Sequence, residues 1–354
     1  MLPFLKGDFA NPSSIHSGGV HARQAIDGAR ASVAKLIGAR PAEIVFTSGA
    51  TESINLAILG AARAQASVGK HIVTTATEHK ATLKALEHEG FEVATVPVDH
   101  RGQIEAQAAL DALRPDTVLV TIMLANNEIG TLAPIADIGR GLLKHQALLH
   151  VDAAQAVGVI PVDVEKLHVD LMSFSAAKMY GPKGVGALYV RTGTKVRQIM
   201  AGGNHEFGLR PGTENVPGVV GFGAAADIAL AELDANSKHL LELREAFTNV
   251  LLRHRKDARV NGDANSSVPH ILNVTFPGVD GEEIVIHLDA AGIASSTAAA
   301  CKSSDFPSPV LRAIGLSDTD IKSSVRFSFG RPTTLAQAKR AARIVAKVVD
   351  QLAR

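Results

Sequence analysis

The chain has a single cysteine, Cys301, in 354 residues. One thiol makes no internal disulfide and no multi-cysteine zinc site, and it points to a reducing, cytoplasmic compartment. Neither sign of charge is in excess, with Lys+Arg at 36 and Asp+Glu at 35. This balance gives no electrostatic reason to expect nucleic acid or an anionic membrane as a partner. No unbroken apolar run reaches the roughly 18 residues that span a bilayer. The opening MLPFLKGDF lacks the cationic n-region and long apolar h-region of a signal peptide. Internal repeats, low-complexity tracts, a GxxxxGK(S/T) loop and a strand-linked GxGxxG are also missing. NHEFGL begins like a zinc-protease helix, but no second histidine stands three residues after Glu206, so no resident metal is expected.

What is present is a globular composition, 46% hydrophobic and 20% charged, in a chain long enough for a large domain and a smaller one. Apolar residues Ile26, Val33, Leu36 and Ile37 mark a helix over 19–38. Strand-like runs follow at Glu43–Phe46, His71–Ala76, Phe91–Val98, Thr117–Leu124, Ala147–Val151, Asp170–Phe174 and Val185–Val190. Helical stretches such as Glu52–Ala66 and Ile135–His145 separate most of them. Runs that are apolar throughout, such as TVLVTIML, suit strands covered on both faces, and the alternation predicts an α/β fold with a mostly parallel seven-stranded sheet. The pattern changes near residue 236. A charged helix is expected over Asn236–Lys256, short strands at Ile271–Phe276 and Ser324–Ser328, and a last helix at Thr334–Leu352. Residues 1–235 therefore read as the large domain and 236–354 as a smaller α+β domain.

The candidate chemistry sits where strands end. LLHVDAAQAVG closes an apolar strand with Asp152, and an unpaired carboxylate there costs several kcal/mol. Further on, SFSAAKMYGPKG delivers Lys178 after another apolar strand. This pair suits pyridoxal 5'-phosphate (PLP), whose carbonyl needs an amine and whose pyridine nitrogen needs an anion. It equally suits a plain ion pair at the sheet end. In IVFTSGATES, small residues and hydroxyls lead into a helix, as in an anion site or an ordinary N-cap. TATEHKAT places His79 past a strand end, where it would stack on a ring and move protons, or simply lie in a surface loop. MLANNEIGTL places Asn126, Asn127 and Glu128 after a buried strand, either to hold a ligand or to cap a turn. Cys301 lies in ASSTAAACKSSDFPSP, which reads as a polar loop. A thiol beside Lys302 is expected there to be exposed with some thiolate character, as a nucleophile needs, or else to be an inert cysteine of the kind that usually fills a core.

Taken together, NPSSIHSGG, EIVFTSGATES, TEHKATL, ANNEIGTLAPI, HVDAAQAVG, VDLMSFSAAKMYGPKGVGALYV, LRPGTENVPG, ILNVTFPGVDGE and SSVRFSFGRPTT resemble the cysteine desulfurases of the aminotransferase class V group, in the branch related to iron–sulfur cluster assembly. The resemblance covers nearly the whole chain. It implies the PLP-dependent transferase fold of type I and conversion of L-cysteine to L-alanine, with the sulfur kept as a persulfide. By resemblance, Lys178 would hold PLP, Asp152 would meet the ring nitrogen, and Gln155 the ring oxygen. His79 would stack on the ring and transfer protons. Ala50, Thr51 and Ser175 would bind the phosphate, joined by Thr213 from the second subunit of a homodimer. Asn127 and Arg326 would hold the substrate carboxylate, with Asn127 also lining the cofactor site. Cys301 would accept the sulfur, pass it to an acceptor or iron–sulfur scaffold protein, and be open to transient ligation of a cluster. Selenocysteine lyases share most of the pattern, so a selenocysteine lyase, another PLP β-lyase or an aminotransferase is the nearest alternative. A non-catalytic dimeric paralogue that docks a sulfur-transfer partner is the alternative of another class.

Three departures stand out. Ala176-Ala177 replaces the family's Gly-His before the lysine, removing a phosphate contact worth roughly 1.5–3 kcal/mol, so weaker PLP retention is expected. Ala298-Ala299-Ala300 replaces Gly-Ser-Ala before the cysteine, which stiffens that loop, and the loop after it is about one residue shorter. Family members also open with a segment resembling YLDNNATT, and this sequence starts just beyond that point. Loss of that segment would take a strand from the smaller domain.

Overall fold

In the computed structural model, which describes residues 1–88, 90–297 and 308–353, the apolar runs become strands. They are β1 (Ile44–Thr47), β2 (His71–Thr75), β3 (Glu92–Val96), β4 (Thr117–Met123), β5 (Leu148–Asp152), β6 (Leu171–Ser175) and β7 (Gly186–Val190). They form one sheet in the order β1-β7-β6-β5-β4-β2-β3. Neighbours from β6 through β3 pair in parallel, whereas β7 pairs antiparallel with both β6 and β1. The chain returns from β6 to β7 without a crossover helix, which forces β7 to run backwards. β4 is buried at every position, as a central strand covered on both faces must be. β3, at the sheet edge, exposes most of its residues.

Because β1, β2, β4, β5 and β6 run the same way, Thr47, Thr75, Met123, Asp152 and Ser175 end at one edge of the sheet. This is the edge where open α/β sheets bind ligands. The strands and their covering helices belong to a unit made of Met1–Val96, Glu105–Leu124 and Pro134–Leu233. Its core includes Val45, Ile54, Ile58, Ile72, Leu119 and Leu188.

A second unit comprises Pro97–Ile104, Ala125–Ala133 and Asp234–Arg354. Its sheet contains β8 (Arg259–Asn261), β9 (Ile271–Thr275), β10 (Ser296–Thr297) and β11 (Ser324–Ser328), in the order β10-β11-β9-β8 with all pairs antiparallel. Phe247 packs on Phe327 at 4.9 Å between ring centroids. The last helix, Leu335–Leu352, opens with a Thr334/Gln337 capping box. A separate small cluster joins Ile129 to Val310, Leu311, Ile314 and Ile321.

One element departs from its sequence pattern. The helix expected from Asn236 begins at Val216 and runs unbroken to His254. Its first turns carry Pro217, Gly218, Gly221 and Gly223, which weakens the helical signal. Gly223 is needed there for packing, since a Cβ would lie 2.6 Å from the Ala29 Cα. This helix is also long and apolar enough, by length and composition alone, to cross a membrane. Its apolar residues Val219, Phe222 and Ala226 are buried, and Phe222 packs edge-on to Phe46 and Phe174.

Candidate active site

Asp152 closes β5 and is 4% exposed. One carboxylate oxygen accepts the Ala154 N–H at 2.9 Å. Burial pushes the carboxyl up to about 6, while the Ala154 N–H and the charge of Lys178 pull it back. Lys178 lies in the 3-10 turn Ala176–Met179 that follows β6, the neighbour of β5. Ala176 and Met179 are buried and Lys178 is exposed, so the turn is anchored while the amine is presented. Tyr180, with φ 63, closes the turn in the left-handed region. The sequence pair Asp152 and Lys178 is thus brought together at one edge of the sheet.

At the end of β1 the chain turns into the helix Ala50–Ala64. The N–H groups of Ala50, Thr51 and Glu52 have no intrahelical acceptor, so they form an anion-binding end. The carboxylate of Glu52, which would repel an anion, is engaged elsewhere: it accepts the Ser48 N–H at 2.7 Å and the Arg210 Nε–H at 2.9 Å. Burial raises its pKa, but these bonds hold it below the usual range. Gly186 on β7 lets the loop come close, since a Cβ there would stand 2.6 Å from the Gly49 Cα. Thr51 is exposed and Ser175 half-buried, with its hydroxyl donating to the Val185 carbonyl at 3.4 Å. Gln155 is half-buried just after β5, and Thr213 is exposed in the segment between Leu209 and Val216.

His79 caps the helix Lys80–Leu86, with Nδ1 accepting the Ala81 N–H at 3.1 Å. The ring proton of the neutral imidazole therefore belongs on Nε2. Burial, then the charges of Lys178 and Lys80, hold its pKa below the ordinary histidine value.

The second unit carries Asn127 and Arg326. Asn126 Oδ1 accepts the N–H groups of Glu128 at 2.9 Å and Ile129 at 3.0 Å, which shapes the turn around Asn127. Arg326, half-buried on β11, donates from Nη1 to the Asn127 carbonyl at 2.8 Å. Arg326 Nε and Asn127 Oδ1 are both buried without a hydrogen-bond partner among the described residues. Burial lowers the guanidinium pKa and nearby Glu128 opposes that shift. Glu128 is itself buried and accepts the Ser308 hydroxyl. Cys301 lies outside the described residues.

A model of the aminotransferase class-V family matches residues 1–340. The chain belongs to that family. A Bacillus subtilis protein named "Putative cysteine desulfurase IscS 1" is 45% identical to it over 99% of this chain and 94% of its own length. A Dictyoglomus turgidum protein named "Cysteine desulfurase IscS" is 45% identical over 99% of this chain and 90% of its own length. A solved structure called a NifS-like protein superposes with a TM-score of 0.93 at 37% identity, covering 99% of this chain and 94% of that one. Another, described as SspA in complex with cysteine, gives a TM-score of 0.81 at 36% identity, with 92% of each chain covered.

PLP is the cofactor of this class-V chain, and the residues present fit it. A buried carboxylate matches the ring nitrogen, an exposed lysine the carbonyl, and the open helix N-terminus the phosphate. One residue that sequence reasoning missed is Glu78. Its carboxyl is fully enclosed and pushed up to about 8, chiefly by burial. Unlike Asp152, which ends β5 itself, Glu78 lies three residues past β2 in a polar stretch, so no local pattern marks it as buried.

Proposed function

We propose that this class-V protein is a PLP-dependent cysteine desulfurase that converts L-cysteine to L-alanine and passes the sulfur on through Cys301. The observation that carries the reading is Asp152, buried at the sheet edge with the charge of Lys178 acting on it. The cysteine desulfurase names of relatives at 45% identity support the substrate.

Lys178 supplies the amine that holds the cofactor. Asp152 keeps the ring nitrogen protonated, and Gln155 hydrogen-bonds the ring oxygen. Ala50, Thr51 and Ser175 receive the phosphate, together with Thr213 of a second copy. His79 stacks on the ring with its proton on Nε2. Asn127 and Arg326 hold the substrate carboxylate, a task that suits the arginine fork. When bound, PLP supplies an electron sink for the substrate α-carbon. The thiolate of Cys301 forms an S–S bond to the substrate sulfur, the Cβ–S bond breaks, and Cβ takes a proton as alanine leaves. An acceptor thiol then takes the sulfur from the persulfide. We assign the protein to the cytoplasm as a homodimer that serves an iron–sulfur scaffold or another sulfur acceptor. The lone cysteine and the motif resemblance support that assignment.

The test is incubation of PLP-loaded protein with cysteine and a reductant, with sulfide and alanine measured together. Equal amounts of both, abolished in Cys301→Ala, are expected. Turnover that survives in Cys301→Ala indicates a lyase that releases its product directly. The visible absorbance of lysine-bound PLP, its loss on borohydride reduction and mapping of the label to Lys178 test the cofactor site. Absence of that absorbance sinks the reading.

A further inference from the structure

Two carboxyl groups, not one, are buried at the cofactor edge of the sheet. Glu78 is 2% exposed and Asp152 is 4% exposed. Glu78 follows β2 and reaches across to β4, where its Oε1 accepts the Met123 N–H at 2.9 Å. The same oxygen accepts the Thr75 hydroxyl at 2.7 Å. Met123 is the register partner of Asp152 on β5. Glu78 therefore bonds the residue directly opposite Asp152. Its other oxygen, Oε2, is buried and has no hydrogen-bond partner among the described residues.

This asymmetry bears on where a proton sits. A carboxylate would spread its charge over both oxygens and need donors at each, and a charged oxygen left bare in a dry site is costly. A neutral acid has one carbonyl oxygen that accepts and one hydroxyl. Oε1, with two donors, matches the carbonyl, and Oε2 matches the hydroxyl. Two neighbouring buried carboxyls also resist ionising together. The charged groups around the pair are Asp152 itself, Lys178, which acts on Asp152 and His79, and Lys80, which acts on His79.

We infer that Glu78 is held as the neutral acid with its proton on Oε2, as a positioning residue that braces the end of β4 and leaves Asp152 the one negative charge available to the cofactor ring. Burial and the Asp152 charge act on Glu78 in the same direction, toward the protonated form. The role at the ring rests on the PLP reading; the protonation does not.

Infrared difference spectra of full-chain wild type against Glu78→Gln, with and without PLP, test it. At neutral pH the wild type is expected to show the carbonyl stretch of a protonated carboxyl, and Glu78→Gln to lack it. A difference confined to carboxylate bands overturns the inference. PLP affinity, read by absorbance titration, gives the second arm. Glu78→Gln keeps an acceptor at one position and a donor at the other, so affinity within about threefold of wild type is expected, against a loss of roughly tenfold or more in Glu78→Ala. Equal losses in both variants overturn the positioning role. Should Glu78→Ala fail to fold, the infrared arm still tests the protonation, and a loss of PLP affinity of roughly tenfold or more in Glu78→Gln overturns the positioning role. A protein that shows the band yet binds no PLP refutes the cofactor reading and leaves the protonation of Glu78 standing.

Discussion

Asp152 ends β5 inside the protein, and Lys178, just past the end of the adjacent β6, is the cation that draws its carboxyl back toward ionisation. In the variant Asp152→Asn the shape stays and the charge goes. Turnover of cysteine is expected to fall by at least about a hundredfold, in line with loss of one preorganised electrostatic contact. Steady-state kcat with PLP content measured on the same sample checks this. An unchanged kcat at full PLP occupancy would remove Asp152 from the chemistry.

Arg326 spends Nη1 on the Asn127 carbonyl and keeps a buried Nε without a partner among the described residues. A lysine in its place cannot serve both the carbonyl and a carboxylate fork. Arg326→Lys is therefore expected to raise KM for cysteine by roughly ten- to a hundredfold, the equivalent of losing one charge-assisted bond, with a smaller change in kcat. An effect on kcat alone would place Arg326 outside carboxylate binding.

The parallel sheet was legible because strands covered on both faces carry unbroken apolar runs, as TVLVTIM in β4 does. β8 and β10, with three and two residues, are too short to show a period. The start of the helix at Val216 was hidden by residues chosen for close packing, Gly223 among them. At the site, Asp152 and Lys178 stood out because a charge that ends an apolar strand is conspicuous. Glu78 did not, since TATEHK reads as a polar loop. Its burial comes from Met123, distant in sequence. The contact between Arg326 and the Asn127 carbonyl likewise depends on tertiary placement that no local pattern encodes, and Cys301 lies outside the described residues.

Arg30 and Glu206 form a buried, two-pronged ion pair, with both N–O distances at 2.7 Å. The guanidinium lies 4.8 Å from the Phe46 ring centroid and 5.1 Å from that of Phe207. Glu206 also accepts the Phe46 N–H, which ties its loop to β1. Removing one partner leaves a buried charge alone, so Glu206→Gln is expected to cost about 3–5 kcal/mol of unfolding free energy. The double variant Arg30→Met, Glu206→Gln should recover part of that loss. Denaturant unfolding of the three proteins checks it, and a single variant within about 0.5 kcal/mol of wild type would show that the pair contributes nothing measurable.

His150 sets the acid side of stability. It is fully buried on β5, with Nδ1 2.8 Å from the Thr121 hydroxyl and Nε2 2.9 Å from the Ser173 hydroxyl, so it links three adjacent strands. Burial pushes its pKa down to about 3, against 6.5 for a free side chain. Between those values the unfolded chain takes up a proton that the folded protein does not. Stability is therefore intact above about pH 6.5 and lost as pH falls toward 3, by up to about 1.4 kcal/mol per pH unit from this group. The variant His150→Gln keeps polar atoms near both hydroxyls but does not titrate. It should be less stable at neutral pH by about 1–3 kcal/mol, and the gap to wild type should narrow as pH drops from 6 to 4. Glu78 and Asp152, whose raised pKa values act in the opposite direction, are present in both proteins and cancel in the difference. A gap that stays constant over that range would mean that His150 is not neutral in the fold.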